Sequence, residues 1–233
     1  MRLTKSKAKL IYSSTNKVYG KLENIKTKKT SNYYKFLNLH NGIDENFKLD
    51  FVTPYGCSKG AADMYCQDYY KSYSIKTVVM RQSCIYGSMQ LGIEDQGWVA
   101  WIIIAAILNK KIKIFGDGLQ ARDVLFVDDL INLYLATMNS KKTIGKVYNI
   151  GGGRKNKMSI IQLIQLLEIK LKKKIKYSYY RSRIGDQKVF ISNNSKIYID
   201  TKWKPTTSIN RGLDKTILWI KENINLIKKI NSI

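Results

Sequence analysis

Apolar and polar positions alternate along this chain in short blocks. Lys9 to Ser13 (KLIYS) is a brief β-type apolar run and predicts a buried strand. It gives way to the polar stretch Ser13-Ser14-Thr15-Asn16. Residues 21–50 are polar and rich in Lys and Asn, and predict a long surface excursion. Pro54, at a first-turn position, opens a helix running to Tyr73. Lys76 to Arg81 (KTVVMR) predicts a second buried strand, and residues 82–97 a loop bearing Gly87, Gly92 and Gly97. A helix from Trp98 to Leu108, a strand from Ile112 to Phe115 and a GDG turn follow. Val124 to Val127 reads as a strand feeding a helix from Asp128 to Met138, with carboxylates in its first turn. A strand from Val147 to Ile150 is closed by Gly151-Gly152-Gly153. Ser159 and Gln162 make a capping box for the next helix. Strand-like Ile175 to Tyr180 and Val189 to Ile191 precede a last helix from Ser208, with Ile209, Leu213, Ile217 and Ile220 along one face.

Strands alternating with helices predict an α/β fold with a mainly parallel sheet. In such sheets ligands bind beyond the carboxyl ends of strands, so the ends of KLIYS and KTVVMR are where chemistry is expected.

Composition changes this picture little. A chain of 233 residues with 44% hydrophobic and 11% aromatic positions buries a real core, which excludes disorder as its main state. Gly 15, Pro 2 and Cys 3 exclude collagen-like and disulfide-scaffold classes. The longest apolar run, Trp98 to Leu108, is about half of what a bilayer span needs, so no membrane partner is expected. Met1 to Lys9 is basic but leads into no apolar stretch of signal-peptide length, which makes the cytoplasm the expected location. The net charge of +24 invites a nucleic-acid reading. Lys, Ile and Asn are over-used together, at 34, 31 and 17 residues, and a chain-wide compositional bias explains the Lys better than a phosphate groove does. No nucleic-acid partner is therefore expected, while a small anionic ligand fits the charge equally well. Cys57, Cys66 and Cys84 lack metal-ligand spacing and His40 is the only His, so no metal site is expected.

The strongest constellation is Tyr55-Gly56-Cys57-Ser58-Lys59, a YxxxK at a helix start. A spacing of four puts both side chains on one face. Tyrosine, which titrates near 10, is a poor base at neutral pH. An ammonium held beside a phenol favours the phenolate. Thr15, at the end of the preceding strand, can add a hydroxyl donor to such a proton-transfer site. The motif alone is weak. Preceded by SSTNKVYG and followed by VVMRQSCIYG it becomes specific.

With these neighbours the chain resembles the extended short-chain dehydrogenase/reductases, the NAD-dependent epimerase/dehydratase family that acts on nucleotide sugars. SSTNKVYG, PYGCSKGAAD, DQGWVAW and GDQKVF look like its CDP-paratose (CDP-tyvelose) 2-epimerase subgroup rather than the UDP-galactose 4-epimerases. The resemblance runs from residue 9 to about 220. It implies Thr15, Tyr55 and Lys59 as the catalytic set, with Tyr55 the general base toward a sugar hydroxyl. It implies Ser13 and Ser14 beside Tyr55 and Lys59 on the NAD side. On the substrate side it implies Thr15, Asn16, Gln82 and Ser83, with Arg122 and Arg183 gripping the nucleotide phosphates and Asp186 near the ribose or base. A guanidinium fork suits a diphosphate through bidentate geometry and permanent charge. NAD rather than NADP, a CDP-sugar substrate and a homodimer paired through the helix at 63–73 also come from the resemblance.

Two departures matter. The family's glycine-rich G-x-x-G-x-x-G turn is absent, and Gly151 to Gly153 does not match it. The expected fold is thus a partial Rossmann-type parallel sheet lacking its first strands, with a smaller C-terminal substrate-binding region. Residues 1–95 would be the later part of the NAD-binding domain with the YxxxK. Residues 96–233 would be mainly the nucleotide-sugar region, with 123–140 returning to the sheet. Gln82 stands where the subgroup leads one to expect His, which leaves the sugar specificity open. Asn16 and Lys17 follow Thr15 where 4,6-dehydratases of the family need an acid pair, which argues against dehydration. The expected function is an NAD-dependent nucleotide-sugar epimerase that transiently oxidises and re-reduces the sugar. The alternative is an inactive fragment or split-gene half serving only as a nucleotide-sugar binder or partner subunit.

Overall fold

The apolar start of LIYSST, with β-branched and aromatic side chains, forms β1 (Leu10–Thr15). The Thr15 hydroxyl then accepts the Lys17 N–H and starts a single 3-10 turn over Asn16–Tyr19. The computed structural model describes residues 1–231. After β1 come a hairpin of β2 (Thr27–Lys29) and β3 (Tyr34–Phe36), the long helix α1 (Thr53–Tyr73), β4 (Thr77–Gln82) and β5 (Cys84–Tyr86). The middle holds α2 (Trp98–Ile107), β6 (Ile112–Phe115), β7 (Ala121–Phe126), α3 (Val127–Asn139), β8 (Lys146–Ile150) and β9 (Lys157–Ser159). The last part holds α4 (Ile160–Leu171), β10 (Tyr177–Tyr180), β11 (Val189–Phe190), α5 (Ser195–Thr201), α6 (Ile209–Glu222) and α7 (Ile224–Asn231).

The pairing is mostly parallel, as an alternating α/β pattern requires. Strands lie in the order β1-β4-β8, with Leu10 opposite Thr77, Thr15 opposite Gln82 and Gln82 opposite Ile150. Strand β4 lies between two neighbours and is buried almost throughout, whereas β1 has one neighbour and leaves Leu10 exposed. Lys9 fastens this edge: its ammonium donates to the Thr137, Met138 and Ser140 carbonyls at the negative end of α3, at 2.7, 3.1 and 2.8 Å. A second parallel ladder runs β11-β7-β5, with β9 antiparallel on β7. Strands β6 and β10 pair in parallel nearby.

Several details depart from the pattern reading. Residues 82–97 contain β5, a three-residue strand paired in parallel with β7. The 21–50 excursion carries a hairpin and packs Leu22, Ile25, Phe36 and Leu39 around Val18, Tyr19, Ile43 and Phe190. Helices α5 and α7 lie outside the elements the pattern reading named, although Ile224, Ile227 and Ile230 of α7 recur at helical spacing. Of residues 123–140, Leu125, Leu130 and Leu133 pack against β4 and β8, and the strand that joins the β1–β4 sheet is β8. The capping box stands as read: Ser159 Oγ accepts the Gln162 N–H at 3.1 Å and Gln162 Oε1 accepts the Ser159 N–H at 3.0 Å. One core gathers α2, α4 and α6 around Ile103, Ile104, Leu163, Leu167, Leu213 and Ile220. Another lies under β4 and β8, around Val78, Met80, Leu133, Tyr148, Ile150 and Trp203.

The glycine cluster after β8 is a packed turn. A Cβ on Gly151 would collide with the Asp123 carboxylate, and one on Gly152 with the Val124 carbonyl. Asp123, fully buried, organises the turn: it accepts from Ser83 Oγ (2.6 Å) and from the Ser192 and Gly153 N–H groups (2.9 and 3.1 Å). Burial pushes its pKa up from 3.8 to about 6, against the pull of these hydrogen bonds. A folded pKa above the unfolded value means the folded state holds the proton more tightly. The group's contribution is complete below about pH 4 and is lost as pH rises through about 6. Asp123→Asn keeps an acceptor for the two N–H groups and cannot ionise. Chemical unfolding of both proteins is expected to show the Asn variant gaining on the parent by roughly 2–3 kcal/mol between pH 4 and pH 7. A difference that is flat or moves the other way would refute this account of Asp123.

Candidate active site

Strands β1 and β4 end side by side, and the chain turns from β1 straight into the 3-10 turn. The Lys17 carbonyl of that turn sits against the first turn of α1, so near that a Cβ on Gly56 would lie 3.3 Å from it. Pro54 begins α1 there, and the approach sets Tyr55 and Lys59 beside the strand ends.

Lys59, one turn beyond Tyr55, reaches back over β1. Its ammonium donates to the Ser13 carbonyl at 2.7 Å and lies 5.1 Å from the Tyr12 ring centre. Ser13 is a hub: its hydroxyl is 2.5 Å from the Tyr134 hydroxyl, and Gln82 Nε2 donates to both, at 3.2 and 2.7 Å. Ser13, Lys59 and Gln82 thus meet at the carboxyl edge of the sheet, joined by Tyr134 from α3, which the sequence reading passed over.

Tyr55, about half exposed at 54%, borders a cavity of about 320 Å³. Lys17, Trp98, Arg122, Arg183 and Asp186 share its lining. Two arginines 61 residues apart in sequence therefore meet on one cavity with the tyrosine of the YxxxK. Arg122 is buried in β7, its Nη1 donating to its own Ala121 carbonyl at 2.9 Å and its Nη2 to Asp186 at 2.7 Å. Arg183 stands at the rim, donating to Asp95 at 2.8 Å and stacking 4.1 Å over the Phe115 ring. Lys17 donates to the Gly185 carbonyl at 3.3 Å and lies 3.5 Å from Asp186. Burial, then the Arg122 charge, lowers its pKa, with Asp186 opposing. Trp98 donates its indole N–H to Cys84 Sγ at 3.2 Å, on the apolar side of the cavity.

The remaining sequence candidates have their polar atoms committed inside the protein. The buried Thr15 hydroxyl caps the 3-10 turn and donates to Asn16 at 3.3 Å. Asn16 donates to Gln187 at 3.1 Å, Ser14 to Asp63 at 2.7 Å and Ser83 to Asp123 at 2.6 Å. None of these four lines the cavity with Tyr55. Lys17 and Trp98 were the omissions. Both sit inside quoted motifs, Lys17 two residues after Thr15 and Trp98 at the first position of α2. Among the described residues no group of three or more His, Cys, Asp or Glu gathers as a metal site, and no helix is long and apolar enough to cross a membrane.

Residues 1–151 match the model of the NAD dependent epimerase/dehydratase family. The chain is 41% identical over 225 residues to the CDP-paratose 2-epimerase of Salmonella typhi, covering 94% of this chain and 67% of that protein. It is 38% identical over 191 residues to the UDP-glucuronate 4-epimerase of Thermodesulfobacterium geofontis, covering 80% and 56%. Its backbone is similar to the crystal structure of UDP-glucuronic acid 4-epimerase from Bacillus cereus in complex with UDP-glucuronic acid and NAD, with a TM-score of 0.76 at 30% identity, covering 92% of this chain and 62% of that one. The chain thus spans about two thirds or less of the length of these relatives.

Proposed function

The chain belongs to the NAD dependent epimerase/dehydratase family, and on that premise we propose that it is a nucleotide-sugar epimerase of the CDP-paratose 2-epimerase type. The observation that carries the reading is the convergence of Tyr55, Arg122 and Arg183 on one cavity. Two guanidinium forks suit the diphosphate of a CDP-sugar, and the sugar then extends toward Tyr55. Tyr55 takes the proton of a sugar hydroxyl as the sugar is oxidised and returns it on reduction. Thr15, through the turn it caps, orients this edge. Asp186 anchors Arg122 and is the acceptor for a ribose hydroxyl.

NAD, when bound, supplies the hydride chemistry. Lys59, with Ser13 and Gln82, forms the polar edge where its nicotinamide side would rest. No glycine-rich turn fitted to its pyrophosphate occurs among these residues, since Gly151 and Gly152 pack against protein atoms. Exposed Met64, Tyr65 and Tyr69 on α1 are the surface by which subunits would pair, and the cytoplasm would be the site of action.

Calorimetric titration of the 233-residue chain tests the reading. CDP and CDP-glucose are expected to bind, whereas NAD alone is expected to bind no tighter than the millimolar range. Absence of CDP binding would remove the nucleotide-sugar function, and micromolar NAD affinity would show that the chain builds a pyrophosphate site elsewhere.

A further inference from the structure

A second cavity, of about 570 Å³, shares no lining residue with the one that Tyr55 borders. Its walls come from the β2–β3 hairpin, the segment 154–157 and β11. Four cations line it: Lys28 of β2, Lys35 of β3, Arg154 and Lys157. None of the residues lining it is Asp or Glu. Lysines on the nearby surface are arranged otherwise, with Lys29 at 3.0 Å from Asp117 and Lys21 at 3.4 Å from Glu23. Among the described residues, none of the four cations of this cavity makes a salt bridge.

A chain-wide excess of Lys accounts for cations on a surface but not for this arrangement. The hairpin register sets Lys28 directly opposite Lys35. Like charges directly opposite across a strand pair are destabilising. Lys157 is half-buried, and its ammonium lies 3.3 Å from the centre of the Tyr33 ring at the hairpin's turn, held by a neutral group rather than by a carboxylate. Leu39, Val189 and Ile191 add an apolar wall. A cleft of one charge sign with low-dielectric walls focuses the field and concentrates counter-ions. We propose that this cavity is a second anion site, which takes a linear oligophosphate, free or as the tail of a nucleoside triphosphate. Its cations stand on two separate parts of the wall, the hairpin and the segment 154–157, so charges spaced along a chain match them better than one compact ion does. The site is independent of the nucleotide-sugar reading.

Calorimetric titration of the 233-residue chain with tripolyphosphate, ATP and AMP, without divalent cations, is the test. Tripolyphosphate and ATP are expected to bind, and AMP about tenfold or more weakly. Equal affinity for tripolyphosphate and ATP identifies the phosphate chain alone as the ligand, and tighter ATP binding identifies the nucleoside triphosphate. The double variant Lys28→Gln, Lys35→Gln is expected to lose about tenfold or more in tripolyphosphate affinity. Without ligand it is expected to melt no lower than the parent, because a repulsive pair is gone. Arg122→Ala, in the other cavity, is expected to change tripolyphosphate affinity by less than about threefold. Lys204→Gln with Lys221→Gln removes the same charge from exposed positions elsewhere and is expected to behave like Arg122→Ala. Equal losses in the two lysine pairs would mean diffuse charge rather than a site, and a loss confined to Arg122→Ala would place the phosphate chain in the Tyr55 cavity. Either result, AMP binding as tightly as ATP, or no binding of tripolyphosphate overturns the proposal. CDP, titrated alongside, reports on the other cavity, so its failure to bind would remove the nucleotide-sugar reading and not this one.

Discussion

Asp63→Ala is expected to lower the unfolding free energy by about 3–5 kcal/mol, the cost of leaving a buried cation without its partner. Asp63 on α1 is completely buried, and Arg81 on β4 is 3% exposed. The pair is bidentate, with Arg81 Nε and Nη2 donating to the two carboxylate oxygens at 2.9 and 3.1 Å. Ser14 of β1 and Gln67 of α1 donate to the same carboxylate, each at 2.7 Å. Arg81 Nη1 donates to the Tyr19 hydroxyl at 3.0 Å. The cluster therefore ties the helix of the YxxxK to both strands whose ends form the candidate site. Replacing Asp63 with Leu and Arg81 with Met together is expected to restore part of the loss, because no charge is then stranded. Urea unfolding of the single and double variants gives the comparison. A loss below 1 kcal/mol for Asp63→Ala would mean that Arg81 finds water or another acceptor, and that the pair does not hold α1 to the sheet.

This cluster also marks what sequence can and cannot carry. Features set by near neighbours were legible. The apolar runs of β1 and β4, Pro54 at the start of α1, and the Ser159–Gln162 box are each decided within a few residues. Short strands were not. Strands β5 and β9 have three residues each and both pair with β7, a fact spread over 40 residues of chain. The same limit applied to the site. The two arginines were legible from their motifs, but the commitment of Ser83 to Asp123, of Ser14 to Asp63 and of Asn16 to Gln187 depends on partners 40, 49 and 171 residues away. Lys17 was legible only as a residue that is not a carboxylate. Its meaning needed the neighbours that folding supplies.

Arg122→Ala is expected to weaken CDP binding by roughly 10- to 150-fold, the equivalent of one charge-assisted hydrogen-bonding group worth about 1.5–3 kcal/mol. Two features make Arg122 the stronger of the forks. Its guanidinium is buried, so its charge is little screened, and its Nη1 is held by the Ala121 carbonyl, so little side-chain freedom remains to be lost on binding. Arg183 is exposed at the rim and shares its charge with Asp95, and Arg183→Ala is expected to cost less than about tenfold. Arg122→Lys keeps the charge without the fork and should fall between. Calorimetry on all three variants ranks them. Equal effects of Arg122→Ala and Arg183→Ala would contradict the division into a buried anchor and a rim contact.

The Asp186 carboxylate between Arg122 and Lys17 has a consequence for any such titration. The cleft is already filled, electrically, by an anion belonging to the chain. An entering diphosphate does not meet a bare pair of cations. It would share the guanidinium with an acceptor that already holds one of its nitrogens. The measured affinity is then a difference between two anions competing for the same donors, and part of the intrinsic attraction never shows in it. Because the cleft already holds an anion, affinity should decline less steeply with ionic strength than two open arginines and a lysine would suggest. The same carboxylate would compete with free phosphate and chloride for Arg122, so anions too weak to displace it are expected to bind poorly.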